Sequence, residues 1–236
     1  MNPKYEKVAG LPCYPTVTAI PEPVDLAIVA VPAAAVLEAL DQCVAKGVRS
    51  AVVFSSGFGE MGEEGRVLER RVAELARRAG LRLCGPNTLG FVNTFDRVMA
   101  TFSQAGEGET PPGPIAFVTQ SGAFGTAIFA LARQRGLAFG YFVNSGNEAD
   151  LEFADLLDYV AADPKVRVVS GYIEGLKDGR KLLAVADRAL LLGKPIVIVK
   201  VGRSAAGARA ALSHTGSLAG SDLVYSGVFR QKGIIR

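Results

Sequence analysis

Short runs of continuous apolar residues alternate along most of the chain with longer stretches whose apolar positions recur every three or four residues. The runs read as strands buried in a parallel sheet, and the longer stretches as helices that cover it. Val24–Val31 (VDLAIVAV) is the first such run, and it predicts a strand buried on both faces. Pro32 stops it, Ala33–Lys46 follows as an amphipathic helix, and Gly47 closes that helix. Ser50–Phe54 is the next strand, Glu63–Ala79 a charged helix ending at Gly80, and Leu81–Cys84 a short strand. Met1–Pro15 is polar and proline-bearing and predicts no strand of its own. The order βαβαβ predicts right-handed crossovers in an α/β layer fold.

Gly106–Pro114 contains no apolar residue and reads as a linker, which divides the chain into domains at 1–108 and 109–236. A second α/β pattern follows it. Strands are expected at Ile115–Thr119, Ala138–Val143, Val166–Ile173 and Pro195–Val201, with helices at Ala123–Arg135, Leu151–Ala162 and Lys177–Leu192.

The chain has 236 residues, about half of them apolar, enough for one large or two ordinary domains. A net charge of +3, evenly spread, does not call for a nucleic-acid partner. The longest apolar stretch, Leu26–Leu37, is broken by Pro32 and is too short to span a bilayer, so no membrane is expected. Met1–Gly10 does not read as a signal peptide. Cys13, Cys43 and Cys84 are scattered and form no CxxC, and a single histidine leaves no Cys/His zinc set. A cytoplasmic protein with reduced thiols is the expectation.

That single histidine, His214, stands among Ser213, Thr215, Gly216 and Ser217, small hydrogen-bonding residues suited to an oxyanion. In open parallel sheets, ligands gather at the carboxyl ends of the strands. Those ends deliver Gln120–Ser121–Gly122, Ser145–Gly146–Asn147, Glu174 and the segment leading to His214. Ser121 and Gly122 open a helix, and they serve either ordinary capping or phosphate binding at its positive end. Ser145–Gly146–Asn147–Glu148 is either a plain turn or a second set of amide donors. Glu174 is either a solvated loop carboxylate or the group that orients His214. Gly57–Phe58–Gly59–Glu60–Met61–Gly62 has the spacing of a dinucleotide loop, but Leu81–Cys84 ends without the acidic residue that would hold a ribose.

The motifs VAVP (29–32), SSGF (55–58), CGPNTLG (84–90), TQSGAFG (119–125), SGNEAD (145–150), YIEGL (172–176), KVGRS (200–204) and SHTGSLAG (213–220) occur in this order. Together they resemble the NDP-forming acyl-CoA synthetases, the superfamily of ADP-forming acetyl-CoA synthetase and the succinyl-CoA synthetase alpha subunit. The resemblance covers essentially the whole chain. It implies a truncated Rossmann-like CoA-binding domain followed by a flavodoxin-like, parallel-sheet ligase domain.

The resemblance implies that His214 carries a phosphoryl group, with Glu174 as its supporting carboxylate. It implies phosphate contacts at Ser121, Gly122, Ser145, Gly146, Asn147, Thr215 and Gly216. It places CoA contacts at Val31, Pro32, Phe54, Ser55, Ser56, Asn87 and Thr88, and no metal on this chain. In the direction of synthesis, ATP phosphorylates His214, the phosphoryl group passes to a small carboxylic acid, and the CoA thiol attacks the acyl phosphate. ADP or ATP with Mg2+ would be handled by an ATP-grasp partner, in an oligomeric assembly. Relative to the family pattern, the chain opens past the first βα unit with its glycine-rich CoA loop, and it holds no ATP-grasp region. Two other readings are a CoA-binding regulatory module, as in protein acetyltransferases, and an inactive fragment. Retention of both His214 and Glu174 favours the ligase.

Overall fold

A computed structural model describes residues 1–2, 4–202 and 222–236. The first unit is a three-stranded parallel sheet of β3 (Leu26–Val29), β4 (Ser50–Val53) and β5 (Arg82–Cys84), in the order β3-β4-β5. It is preceded by a two-residue antiparallel hairpin, β1 (Lys7–Val8) and β2 (Leu11–Pro12), in the stretch where no strand was expected. Helices α1 (Ala33–Lys46) and α2 (Glu63–Ala79) end where the sequence places them, at left-handed Gly47 and Gly80. In α1, Val36, Leu40 and Cys43 share one buried face, and in α2 Gly65, Val72 and Ala76 do the same. One expectation is corrected. β3 is four residues long and is not buried on both faces, because it is an edge strand whose Ile28 is 49% exposed.

The second unit is a six-stranded sheet in the order β11-β10-β8-β9-β6-β7. Four strands are parallel: β8 (Ile115–Thr119), β9 (Phe139–Asn144), β10 (Val168–Ile173) and β11 (Ile196–Lys200). The sequence places all four to within two residues at each end. The antiparallel hairpin β6 (Gly90–Asn93) and β7 (Val98–Thr101) completes the edge by pairing with β9, so the sheet is mixed rather than wholly parallel. Sheet membership therefore changes at 85–89, upstream of the Gly106–Pro114 linker.

Helices α3 (Gly122–Gln134), α4 (Phe153–Ala162) and α5 (Gly179–Leu191) cross between the parallel strands, and α6 (Asp222–Gln231) follows later in the chain. The inner faces of α4 and α5, with Phe153, Leu157, Leu182 and Val185, close a core over Val118, Val169 and Ile198. The four parallel strands run β9-β8-β10-β11, the flavodoxin-like order. The chain leaves β8 to one side and returns to its other side at β10. The crevice between the carboxyl ends of β8 and β10 is the topological switch point, where such sheets bind ligands.

Candidate functional site

A cavity of about 630 Å3 opens at that switch point, between the two sheets. Its wall includes Ser121, Gly122, Gly146, Asn147, Glu174 and Asn87, six of the residues singled out from sequence. His214, Thr215 and Gly216 lie outside the described residues.

Ser121 is the N-cap of α3, and its Oγ accepts from the Phe124 amide at 3.4 Å. The amides of the first turn have no intrahelical partner and carry the positive end of the helix dipole, here turned on the cavity. Gly122 packs closely against Leu89. A Cβ there would lie 2.8 Å from the Leu89 side chain.

Glu174 directly follows β10 and is 6% exposed. Its Oε2 has no hydrogen-bond partner among the described residues. A carboxylate oxygen held dry and unpartnered costs stability, so a hydrogen-bond donor brought to Oε2 would be stabilising.

Residues 145–147 differ from expectation. Ser145 is fully buried, its amide donating to Thr119 O at 2.9 Å and its hydroxyl to Glu148 Oε1 at 2.8 Å. The Asn147 amide donates to Pro86 O at 2.9 Å. The Asn147 side chain donates to Glu60 at 2.6 Å and Glu69 at 2.8 Å. Ser145 and Asn147 therefore spend these donors inside the protein, and neither presents them to a phosphate. Gly146, with φ +64°, makes the close approach to Pro86 that this seam needs. The seam continues through Ala149 N to Gly85 O (2.8 Å) and Leu151 N to Leu83 O (3.1 Å).

The Gly57–Gly62 loop is occupied by its own protein. Glu60 Oε1 accepts from Gly57 N (2.6 Å) and Phe58 N (3.2 Å), and Glu69 Oε2 accepts from Gly59 N (3.1 Å). Burial alone would raise the Glu60 carboxyl, but the Asn147 amide and the backbone amides of Gly57, Glu60 and Phe58 bring it below the usual carboxylate range. These amides are already committed to carboxylates, so the dinucleotide spacing does not create a phosphate site.

Four carboxylates face the cavity, from Glu60, Glu69, Glu148 and Glu174, against Arg66 and Lys177. Glu60 and Glu69 are satisfied by the loop. Glu148 bonds Ser145 and Gln120. Glu174 is left as the carboxylate with an oxygen to spare.

Residues 112–236 match the succinyl-CoA ligase-like flavodoxin domain, and residues 1–94 match a CoA-binding domain. The chain belongs to the succinyl-CoA ligase-like family. It is 48% identical over 235 residues to acetate–CoA ligase (ADP-forming) I of Archaeoglobus fulgidus, covering 100% of this chain and 34% of that protein. It is 45% identical over 223 residues to acetate–CoA ligase (ADP-forming) I subunit alpha of Pyrococcus furiosus, covering 94% of this chain and 47% of that subunit. The acetyl-coenzyme A synthetase 1 of Ca. Korarchaeum cryptofilum, solved with phosphate and ADP, superposes with a TM-score of 0.92 at 40% identity, over 100% of this chain and 50% of that one. The chain spans between about a third and a half of the length of these relatives. No helix among the described residues is long and apolar enough to cross a membrane.

The expected CoA contacts of this succinyl-CoA ligase-like chain collect at the carboxyl edge of the smaller sheet. The Ser55 hydroxyl donates to Val31 O, and the Asn87 amide donates to Ser55 O at 2.9 Å. Pro32, Ser56 and Asn87 are exposed and Val31 half-buried, so this edge is open to solvent. Phe54 instead packs edge-on against Phe102, with ring centroids 4.9 Å apart. Thr88 is corrected as a contact. It is buried, and its hydroxyl donates to Asn144 O.

Sequence reasoning placed Gln120 and Glu148 at strand ends but gave neither side chain a role in the site. Gln120 Nε2 donates to Glu148 Oε1 at 2.9 Å. Burial pushes the Glu148 carboxyl up, while hydrogen bonds from Gln120 and Ser145 pull it back without cancelling the rise. The native state therefore binds this proton more tightly than the unfolded chain. The resulting stability is full below the unfolded value, about pH 4.3, and is lost as pH rises through the native value. Glu148→Gln keeps a carbonyl to accept from Gln120 and Ser145. Its urea midpoint is expected to fall less than the parent's as pH rises from about 4.3 toward neutrality. Equal slopes in the two proteins would show that Glu148 adds nothing to the pH dependence.

Proposed function

We propose that this chain is the alpha-type part of an ADP-forming acyl-CoA synthetase, relaying phosphoryl groups through His214 between a nucleotide and a small carboxylic acid. The observation that carries this reading is Glu174, a buried carboxylate with an unpartnered oxygen, facing the same cavity as the Ser121–Gly122 helix start. Relatives of the chain act as ADP-forming acetate–CoA ligases, which agrees with it. Its ATP-grasp partner would bring ATP and Mg2+, since neither unit here is a nucleotide-binding domain of that type.

Towards synthesis, the bond from the γ-phosphorus of ATP to its bridging oxygen breaks as a bond from phosphorus to an imidazole nitrogen of His214 forms, and ADP leaves. A carboxylate oxygen of the acid then attacks that phosphorus, which frees the imidazole and gives the acyl phosphate. The CoA thiol, losing its proton, attacks the acyl carbon, and phosphate departs. Glu174 orients the imidazole and offsets the charge it gains. The α3 amides hold the phosphoryl oxygens without reorganising.

Incubation of the chain and its partner with γ-labelled ATP should yield an acid-labile phosphate that maps to His214. Acyl-CoA with labelled phosphate should yield the same species in reverse. Absence of such a phosphate from both reactions, or its location elsewhere, overturns the proposal. CoA binding by calorimetry without any phosphorylation would instead identify a regulatory module.

A further inference from the structure

We infer that Gln120 and Lys200 form a clamp that aims the Glu174 carboxylate, which makes both of them positioning residues for the phosphoryl relay; this rests on the function proposed above. Glu174 Oε2 makes no hydrogen bond among the described residues, so the direction of this side chain is set largely by its backbone. That backbone is held to an unusual degree. The Glu174 amide donates to Gln120 Oε1 at 2.6 Å, and the Glu174 carbonyl accepts from Lys200 Nζ at 2.9 Å. The next residue is held as well. The Gly175 amide donates to the same Gln120 Oε1 at 3.1 Å, and its carbonyl accepts from Gln120 Nε2 at 2.8 Å. Every backbone donor and acceptor of Glu174–Gly175 is thus bonded to one of two side chains.

The clamp closes from both flanks. In the sheet order β11-β10-β8, Gln120 follows β8, Lys200 ends β11, and Glu174 directly follows β10 between them. Beyond Ile173 the strand ladder runs out, and these two long side chains replace it. Each jaw is itself anchored. Gln120 Nε2 also reaches Glu148 Oε1 at 2.9 Å. Lys200 is 4% exposed, and its ammonium donates to Val201 O and lies 4.8 Å above the Tyr225 ring. Burying a lysine to hold two backbone carbonyls is expensive, and the sheet itself gains little from it.

The test is a mutant cycle in the full enzyme with its partner, read by quench-flow of γ-labelled ATP into His214. Gln120→Met preserves length and removes all four of these side-chain bonds. The rate constant for phosphorylation is expected to fall about 10- to 100-fold, the scale of a misplaced catalytic group, with the nucleotide dependence unchanged. In the Glu174→Gln background the same substitution should cost nothing further, because there is no carboxylate left to aim. Lys200→Met should behave alike, and it is read in the same cycle if Gln120→Met fails to fold.

A parent rate in Gln120→Met, or an undiminished loss on top of Glu174→Gln, overturns the clamp while leaving the relay intact. If Glu174→Gln itself reacts at the parent rate, the relay falls and the clamp with it. Failure of both clamp variants to fold assigns the two residues to stability and also overturns the inference.

Discussion

In the His214→Ala chain no acid-labile phosphate forms, and in Glu174→Gln it forms about 10²- to 10⁴-fold more slowly than in the parent, the range for removing a positioned acid–base group. The two losses have different origins. His214 supplies the nucleophilic nitrogen, so its removal leaves nothing for the phosphoryl group to bond to. Glu174→Gln keeps shape and volume but removes the charge that favours the correct imidazole tautomer and offsets its developing cation.

Stability separates this outcome from simple damage. Glu174 is 6% exposed and its Oε2 is unpartnered, so the neutral amide relieves a desolvation cost and breaks no bond to that oxygen. The Glu174→Gln thermal midpoint should therefore equal or exceed the parent's while activity collapses, the trade-off of a residue kept for function. Quench-flow labelling and a melting curve on the same preparation check both halves. A lower midpoint with proportionate loss of activity would return Glu174 to a structural role.

The helices of this chain were legible because their ends are chemical. Gly47 and Gly80 adopt the left-handed conformation that closes α1 and α2, and both helices have the predicted bounds. The β6–β7 hairpin was not legible. Gly90–Asn93 is short, and what makes it a strand is antiparallel pairing with β9, distant in sequence. The site divides along the same line. Glu174 and Ser121–Gly122 stand at strand carboxyl ends, a position that local pattern reveals.

Gln120 and Lys200 occupy equivalent ends, yet their importance comes from a strand order that periodicity does not encode. Ser145 and Asn147 show the converse error. Small polar residues at a strand end suit an anion, but the Thr119, Pro86, Glu60 and Glu148 groups packed around them take their donors first.

Gly146→Ala carries the largest expected effect on stability, about 2–5 kcal/mol, by summing overpacking with left-handed strain. The two terms can be separated within this molecule. Gly146 has φ +64° and Gly193 φ +66°, so a methyl group strains the backbone equally at both. At Gly193 the added Cβ meets nothing within 4 Å, whereas at Gly146 it would lie 2.3 Å from Pro86 O and 2.8 Å from Asn87 O. Neither obstacle is the flexible end of a side chain. Relief requires residues 86–87 to part from 146–147, which breaks the bond from Asn147 N to Pro86 O and strains that from Asn87 Nδ2 to Asn147 Oδ1 (3.2 Å). Those bonds join the CoA-binding unit to the ligase-like unit beside the cavity. Urea titration should place Gly193→Ala about 1–2 kcal/mol below the parent and Gly146→Ala well below that, with faster hydrogen exchange at the Asn147 and Ala149 amides. If the two variants lose equal stability, the seam tolerates the methyl group. Close approach would then not be the reason for glycine at position 146.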